Sequence, residues 1–203
     1  MEKRDFKQEL KHLYNSSAKE VSTVDVPAMD FLMIEGEGDP NTSKLYREAV
    51  EALFSVSYAA KFLIKKGALE VDYGVMPLEG LWWMEDMTKF SVENKDEWKW
   101  KAMIMQPKFV SKAILEEAIA QVEKKKKLTT LPLLMLEEFA EGKAVQIMHI
   151  GPYSEEGPTI MKLHKTIAKL GNRLTGKHHE IYLGDPARTA PGRLKTIIRQ
   201  PFV

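Results

Sequence analysis

The chain closes on residues 195–203, "KTIIRQPFV", and the reading of this stretch decides the fold. It answers "KAMIMQPKF" at residues 101–109: each runs from a lysine through apolar residues to Gln-Pro and a phenylalanine. Each also follows a strand-like segment that itself follows a helix-like one. A second pair keeps the same order. "MIEGEGDPNTS" (33–43) and "MHIGPYSEEGPT" (148–159) both lead from a strand through a glycine turn into a helix. Correspondences in the same order predict an internal duplication of a strand–helix–strand–strand unit. The expected fold class is α+β: a duplicated module with pseudo-twofold symmetry, antiparallel sheets with helices on one face, and a central ligand cleft.

Working outward, residues 1–25 form a polar lead-in with a helical turn or two in "FKQELKHLY". Residues 26–203 form a single domain whose halves, about 26–107 and 131–203, are joined by a helix. "AMDFLMIEGEGDP" reads as an apolar strand ended by Gly36, Gly38 and Asp39-Pro40. A helix then opens on Asn41, Thr42 and Ser43, repeats Tyr46, Val50, Leu53, Ser57, Ala60 and Ile64, and stops at Lys65-Lys66-Gly67. In "DYGVMPLEGLWWME", Pro77 and Gly80 mark an edge or a bulge. After a charged turn, Trp98, Trp100, Ala102 and Ile104 share one strand face. A second helix, "FVSKAILEEAIAQVEKKKK", ends in lysines suited to a helix C-terminus. Glu141-Gly142-Lys143 signals a hairpin, and "SEEGPTIMKLHKTIAKLGNRL" is a third helix stopped near Gly171.

Composition removes whole classes of function. The hydrophobic share of 44% supports a real core. A formal net charge of +1 gives no general reason to expect direct nucleic-acid binding. The absence of cysteine excludes disulfides, thiolate zinc sites and a cysteine nucleophile. The charged N-terminus does not read as a signal peptide, and no apolar run approaches the ~18 residues of a membrane span. A cytoplasmic location and no membrane partner are expected.

The stretch "HHEIYLGDP" (178–186) alternates polar and apolar residues up to a turn, as a half-buried strand does. Glu180 in its middle is either a solvated charge or an acid in a pocket, and the alternation puts Tyr182 on its face. Trp82 and Trp83 are adjacent, so a regular strand sends them to opposite faces. At most one lines a cavity unless Gly80 marks a bulge. His178 and His179 likewise point apart, and His149 and His164 have no metal-binding spacing; no metal site is expected. Phosphate-binding glycine motifs and the G-x-S-x-G nucleophile elbow are absent from the sequence.

"MPLEGLWW" (76–83), "EIYLGDPARTAPGRLKTIIRQPF" (180–202) and "FLMIEGEGDPNTSKLYREAVEALFSVSYAAKF" (31–62) together resemble the stand-alone GyrI-like small-molecule-binding proteins over essentially the whole chain. The resemblance implies a duplicated module. In this superfamily the fold serves drug-responsive transcription activators, where a buried acid faces bulky, often cationic aromatic ligands. Some members inhibit DNA gyrase, and some stand-alone members hydrolyse the cyclopropane of DNA-alkylating cyclopropanoids. Residues 1–25 are too short for a helix-turn-helix module, so an activator role is not expected.

Glu180 falls where the family's acidic pocket residue lies. The resemblance therefore implies a catalytic or binding role for Glu180, with Tyr182 beside it and Trp82, Trp83, Tyr58 and Tyr153 as ligand-binding aromatics. Burial among aromatic rings is expected to raise the Glu180 pKa into the range of a general base or acid. The implied partner is a hydrophobic or cationic aromatic small molecule, and no cofactor is required. The implied activity is water addition to a strained cyclopropane. The alternatives are a non-catalytic drug-sequestering module and a gyrase-inhibitor-like protein, the topoisomerase contact resting on family analogy alone.

Overall fold

The computed structural model describes residues 1–87 and 95–203; the expected charged turn lies largely outside the described residues. The elements run β1 (Glu2–Arg4), α1 (Phe6–Glu9), α2 (Lys11–Tyr14), β2 (Ser22–Val26), β3 (Met29–Glu37), α3 (Lys44–Lys66), β4 (Val71–Tyr73), β5 (Leu78–Trp83) and β6 (Lys99–Gln106). They continue with α4 (Lys112–Glu123), β7 (Met135–Phe139), β8 (Gly142–Ile150), α5 (Gly157–Lys169), β9 (His178–Tyr182) and β10 (Lys195–Pro201). Antiparallel pairing runs through β2–β8–β10–β9 and through β6–β3–β7, and β1 pairs in parallel with β4. The fold is α+β, as the sequence implied.

The chain divides into two compact units. The first holds Met1–Phe6, Met29–Met76 and Trp82–Phe139; the second holds Lys7–Ala28, Pro77–Leu81 and Ala140–Val203.

In the first unit the apolar stripe of α3 (Ala49, Ala52, Leu53, Val56, Ala60, Ile64) is buried, and the helix packs on β3 and β6. Ser43 caps the helix, its hydroxyl accepting from the Tyr46 backbone N–H at 3.1 Å. Gly36 does not end the strand: it lies inside β3, opposite Trp100 in register. A Cβ there would collide with the Trp100 indole, so the missing side chain is what admits the buried ring.

In the second unit β10 pairs with β8 on one side and β9 on the other. Strand pairing on both edges, with α5 packed against β8 and β10, explains why Thr196–Phe202 is buried throughout. Val145, Ile147, Leu163, Ile167, Ile198 and Phe202 make the core beneath the helix.

Two further sequence expectations need correction. The strands flanking Glu141 and Gly142 do not form a hairpin: β7 pairs with β3, while β8 pairs with β10 and β2. Gly142 has a φ of 75°, which turns the chain while Glu141 is drawn inward by its charge partners. The lead-in is also more than polar coil with a helical turn or two, because β2 within it pairs with β8.

Candidate functional site

Strand β9 sorts its side chains by parity. His178, Glu180 and Tyr182 share one face; His179 and Ile181 share the other. On the first face Glu180 is mostly buried, its side chain 15% exposed. His178 Nε2 stands 2.9 Å from Glu180 Oε1, and the Tyr182 hydroxyl donates to Oε2 at 2.7 Å. Burial alone would raise the Glu180 pKa. The bonds and charge of His178 and the Tyr182 hydroxyl outweigh it and hold the carboxyl below its ordinary range. The expectation of a raised Glu180 is thus corrected: the hydrogen-bond donors around the carboxylate offset its desolvation.

The proton sits next door. Glu156, immediately before α5, is buried beside Glu180 and Thr196. Burial, then the negative charge of Glu180, pushes it up to about 9, with the Thr196 hydroxyl working the other way. The Thr196 hydroxyl and the Glu180 carboxylate are its side-chain hydrogen-bond partners. Tyr153 edges the group, its ring 5.6 Å from that of Tyr182 at 77° and 39% exposed. Burial and the nearby carboxylates raise the Tyr153 phenol to about 12. His164 on α5 is lowered by burial and by His178.

The opposite face of β9 carries a second, fully buried cluster. His179 Nε2 lies 2.9 Å from Glu79 Oε2, and Nδ1 lies 2.9 Å from Glu141 Oε2. The Tyr14 hydroxyl donates to Glu79 Oε1 at 2.6 Å. Arg199 donates to Glu141 Oε2, Gln146 Oε1 and the Leu13 carbonyl at 3.2, 2.9 and 2.9 Å. Burial opposes the imidazolium, but the two glutamates win and raise His179 to about 9.

Of the residues singled out from the sequence, Glu180, Tyr182 and Tyr153 come together in the second unit. Trp82, Trp83 and Tyr58 belong to the first. Trp82 is buried against Tyr46 and Trp98, with ring centroids at 5.6 and 5.7 Å, whereas Trp83 is half-buried. Tyr58 is 49% exposed and stacks on Phe54.

Sequence reasoning missed His178, Glu156 and Thr196. The period-two rule that joined Tyr182 to Glu180 also reaches His178. Glu156 and Thr196 gave no comparable signal, because tertiary packing alone brings them beside Glu180. Among the described residues no group of three His, Asp or Glu is arranged to hold a metal ion. Two open grooves lie elsewhere. One of 620 Å³ includes Phe62, Leu69 and Ile114, and one of 430 Å³ includes His149, Thr159 and Lys162.

Comparison with known proteins places the α+β fold in a family. Residues 19–202 match the GyrI-like small molecule binding domain, and the chain belongs to that family. An uncharacterized conserved protein from Listeria innocua is 39% identical, with a TM-score of 0.90 and coverage of 98% of this chain and 99% of its own. A structure described as a hydrolase from Listeria innocua is 38% identical, with a TM-score of 0.89 over 100% of both chains. Another hydrolase from that organism is 37% identical, with a TM-score of 0.85 over 98% of this chain and 99% of that one. A search of curated proteins gave no significant match. Among the described residues no helix is long and apolar enough to cross a membrane.

Proposed function

We propose that this protein binds bulky aromatic xenobiotics at Glu180 and hydrolyses the cyclopropane of DNA-alkylating cyclopropanoids there. The observation that carries the reading is a mostly buried carboxylate, held ionised by His178 and Tyr182 and edged by the exposed ring of Tyr153. A planar ligand stacks on the tyrosines. Glu180 takes a proton from water as its oxygen bonds to the cyclopropane methylene. The carbon–carbon bond breaks, its electrons pass to the dienone oxygen, and a proton there completes the phenol. The donors His178 and Tyr182 are the groups beside Glu180 able to steady the developing phenolate.

A carboxylate held below its ordinary range is a weak base. Ring strain and aromatisation supply much of the drive, so a weak base suffices. Similarity at 37–38% identity to proteins described as hydrolases supports the reading. Trp82, Trp83 and Tyr58 remain with it as aromatic residues to test by substitution.

The same observation favours a second reading, retention of cationic drugs without turnover, because a permanently ionised carboxylate among rings suits a cation. The deciding experiment incubates wild type and Glu180→Gln with a duocarmycin-type cyclopropanoid and follows the mass for addition of one water. Hydrolysis predicts turnover by wild type and a loss of ~10²–10⁴-fold in the variant. Intact compound in both, with tryptophan fluorescence still quenched on binding, leaves the sequestering module.

A further inference from the structure

Helix α3 in the first unit is apolar on two sides. Its buried stripe faces β3 and β6. On the outward side Phe54, Tyr58 and Phe62 follow one another at four-residue steps, which lines them up along one face. Tyr58 stacks on Phe54 and is 49% exposed; Phe62 is 48% exposed, and Leu69, just past the helix, is 53% exposed. Helix α4 lies beside α3 in the opposite sense. Ile114 and Glu117 near its start line the 620 Å³ groove with Phe62 and Leu69, while Lys126 beyond its end reaches Glu51 and Ser55. An exposed apolar stripe rimmed by charges marks a surface that another molecule covers.

We propose that α3 docks antiparallel on α3 of a second copy of this chain, about a two-fold axis at Tyr58. The inference is independent of the reading of Glu180.

The order of charges selects a second copy. Glu51 lies seven residues before Tyr58, and Lys65 and Lys66 lie seven and eight residues after it. Seven residues are close to two helical turns, so acid, rings and lysines share one side of the helix. An isologous contact sets each position opposite the one equally far beyond the axis. With the axis at Tyr58, Phe54 meets Phe62 of the second copy, the two Tyr58 rings meet each other, and Glu51 meets the Lys65-Lys66 pair. Lys65 is held by Asp72 at 2.6 Å, which leaves the exposed Lys66 as the cation to be matched. Glu51 already holds Lys126 at 2.8 Å, and a carboxylate accepts from a second lysine as well. A parallel arrangement would set acid on acid and lysine on lysine, which like-charge repulsion opposes. The size also suits a dimer. A helix of 23 residues is ~35 Å long, and two helices side by side are ~20 Å wide, close to the ~800 Å² per partner of a standard interface.

The test is sedimentation equilibrium on the full chain. Wild type should be a dimer with a Kd in the micromolar range or tighter, as ~1,600 Å² interfaces are. Glu51→Lys and Lys66→Glu each place like charges across the axis, and each should weaken the dimer at least ~tenfold. Mixed in equal amounts, the two variants regain opposite charges and should form a mixed dimer within about threefold of wild type. Misfolding would not be rescued by mixing. Because the chain has no cysteine, register is read separately. Under mild oxidation Tyr58→Cys should cross-link to its own copy, and Lys44→Cys, far from the axis, should not. Wild type that stays monomeric at ~100 μM overturns the proposal and leaves the face to a different protein. A dimer that neither charge variant weakens overturns it too, since the contact then lies elsewhere. Weakening without rescue on mixing, or cross-linking through Lys44→Cys but not Tyr58→Cys, overturns the antiparallel docking.

Discussion

His179 and Glu180 are neighbours in one strand, yet the two faces of β9 follow opposite rules. On the His179 face, Glu79, Glu141, Arg199 and Tyr14 are all buried and each is engaged within the cluster. With the imidazole protonated, two formal negative charges meet two positive ones. On the Glu180 face a carboxylate and a carboxyl raised by its charge lie side by side, edged by the exposed ring of Tyr153. A closed polar cluster fixes a fold; an incomplete one leaves capacity for a ligand. Because one strand carries both, the closed face also holds the open face in place.

The largest expected effect tests closure directly. Arg199→Met removes donors to Glu141, Gln146 and the Leu13 carbonyl and leaves a buried carboxylate without its guanidinium. Breaking a buried charge pair from one side costs about 3–5 kcal/mol, to be read by denaturant unfolding. Adding Glu141→Gln should recover part of the loss, since the two changes share one network. Independent, additive losses would show that the cluster does not act as a unit.

The pH dependence sharpens the contrast. His179 is raised to about 9 in the fold, above its ordinary ~6.5 in the unfolded chain. A group raised on folding stabilises fully below its unfolded value and loses that contribution as pH climbs through the folded one. Stability should thus fall between pH ~6.5 and about 9, by on the order of 3 kcal/mol from this group. In His179→Leu the fall attributable to this group should be absent.

How far the sequence reaches follows from the same residues. The helix capped by Ser43, the closing strand in "KTIIRQPFV" and the shared face of Glu180 and Tyr182 are periodicities or local caps, and these were legible. The false hairpin at Glu141-Gly142 was local turn chemistry overruled by long-range pairing. Glu79 stood in plain view within "MPLEGLWW", and nothing local marks a strand glutamate as the partner of a histidine 100 residues away. The direction of the Glu180 shift was misjudged for a related reason: burial could be inferred from the resemblance, but the donors that outweigh it are fixed by side-chain geometry.

On the open face the contribution is a cost and no longer a gain, although stability again falls as pH rises. Glu156 stands at about 9 when folded, above the ~4.3 of an unfolded glutamate. An acid raised on folding costs stability at every pH above its unfolded value, increasingly until the pH passes the folded one. Glu156→Gln cannot titrate and escapes that cost. The variant should be more stable at neutral pH by about 1–2 kcal/mol, with the gap widening as pH rises towards 9. Thermal unfolding across pH measures it, and a destabilised variant would place Glu156 in the closed class.

The smallest effect concerns Thr196, fully buried in β10 with its hydroxyl against Glu156. Thr196→Val keeps the branched shape and removes one hydrogen bond to a carboxyl that burial already disfavours, so the loss of stability should stay below about 1 kcal/mol. The change also removes the hydrogen bond that works against the raised pKa of Glu156, so this carboxyl should titrate at a higher pH in the variant. A loss above ~1 kcal/mol would mean the hydroxyl bonds a charged carboxylate. The open face of β9 would then be closed at Thr196 as firmly as the His179 face is closed at Arg199.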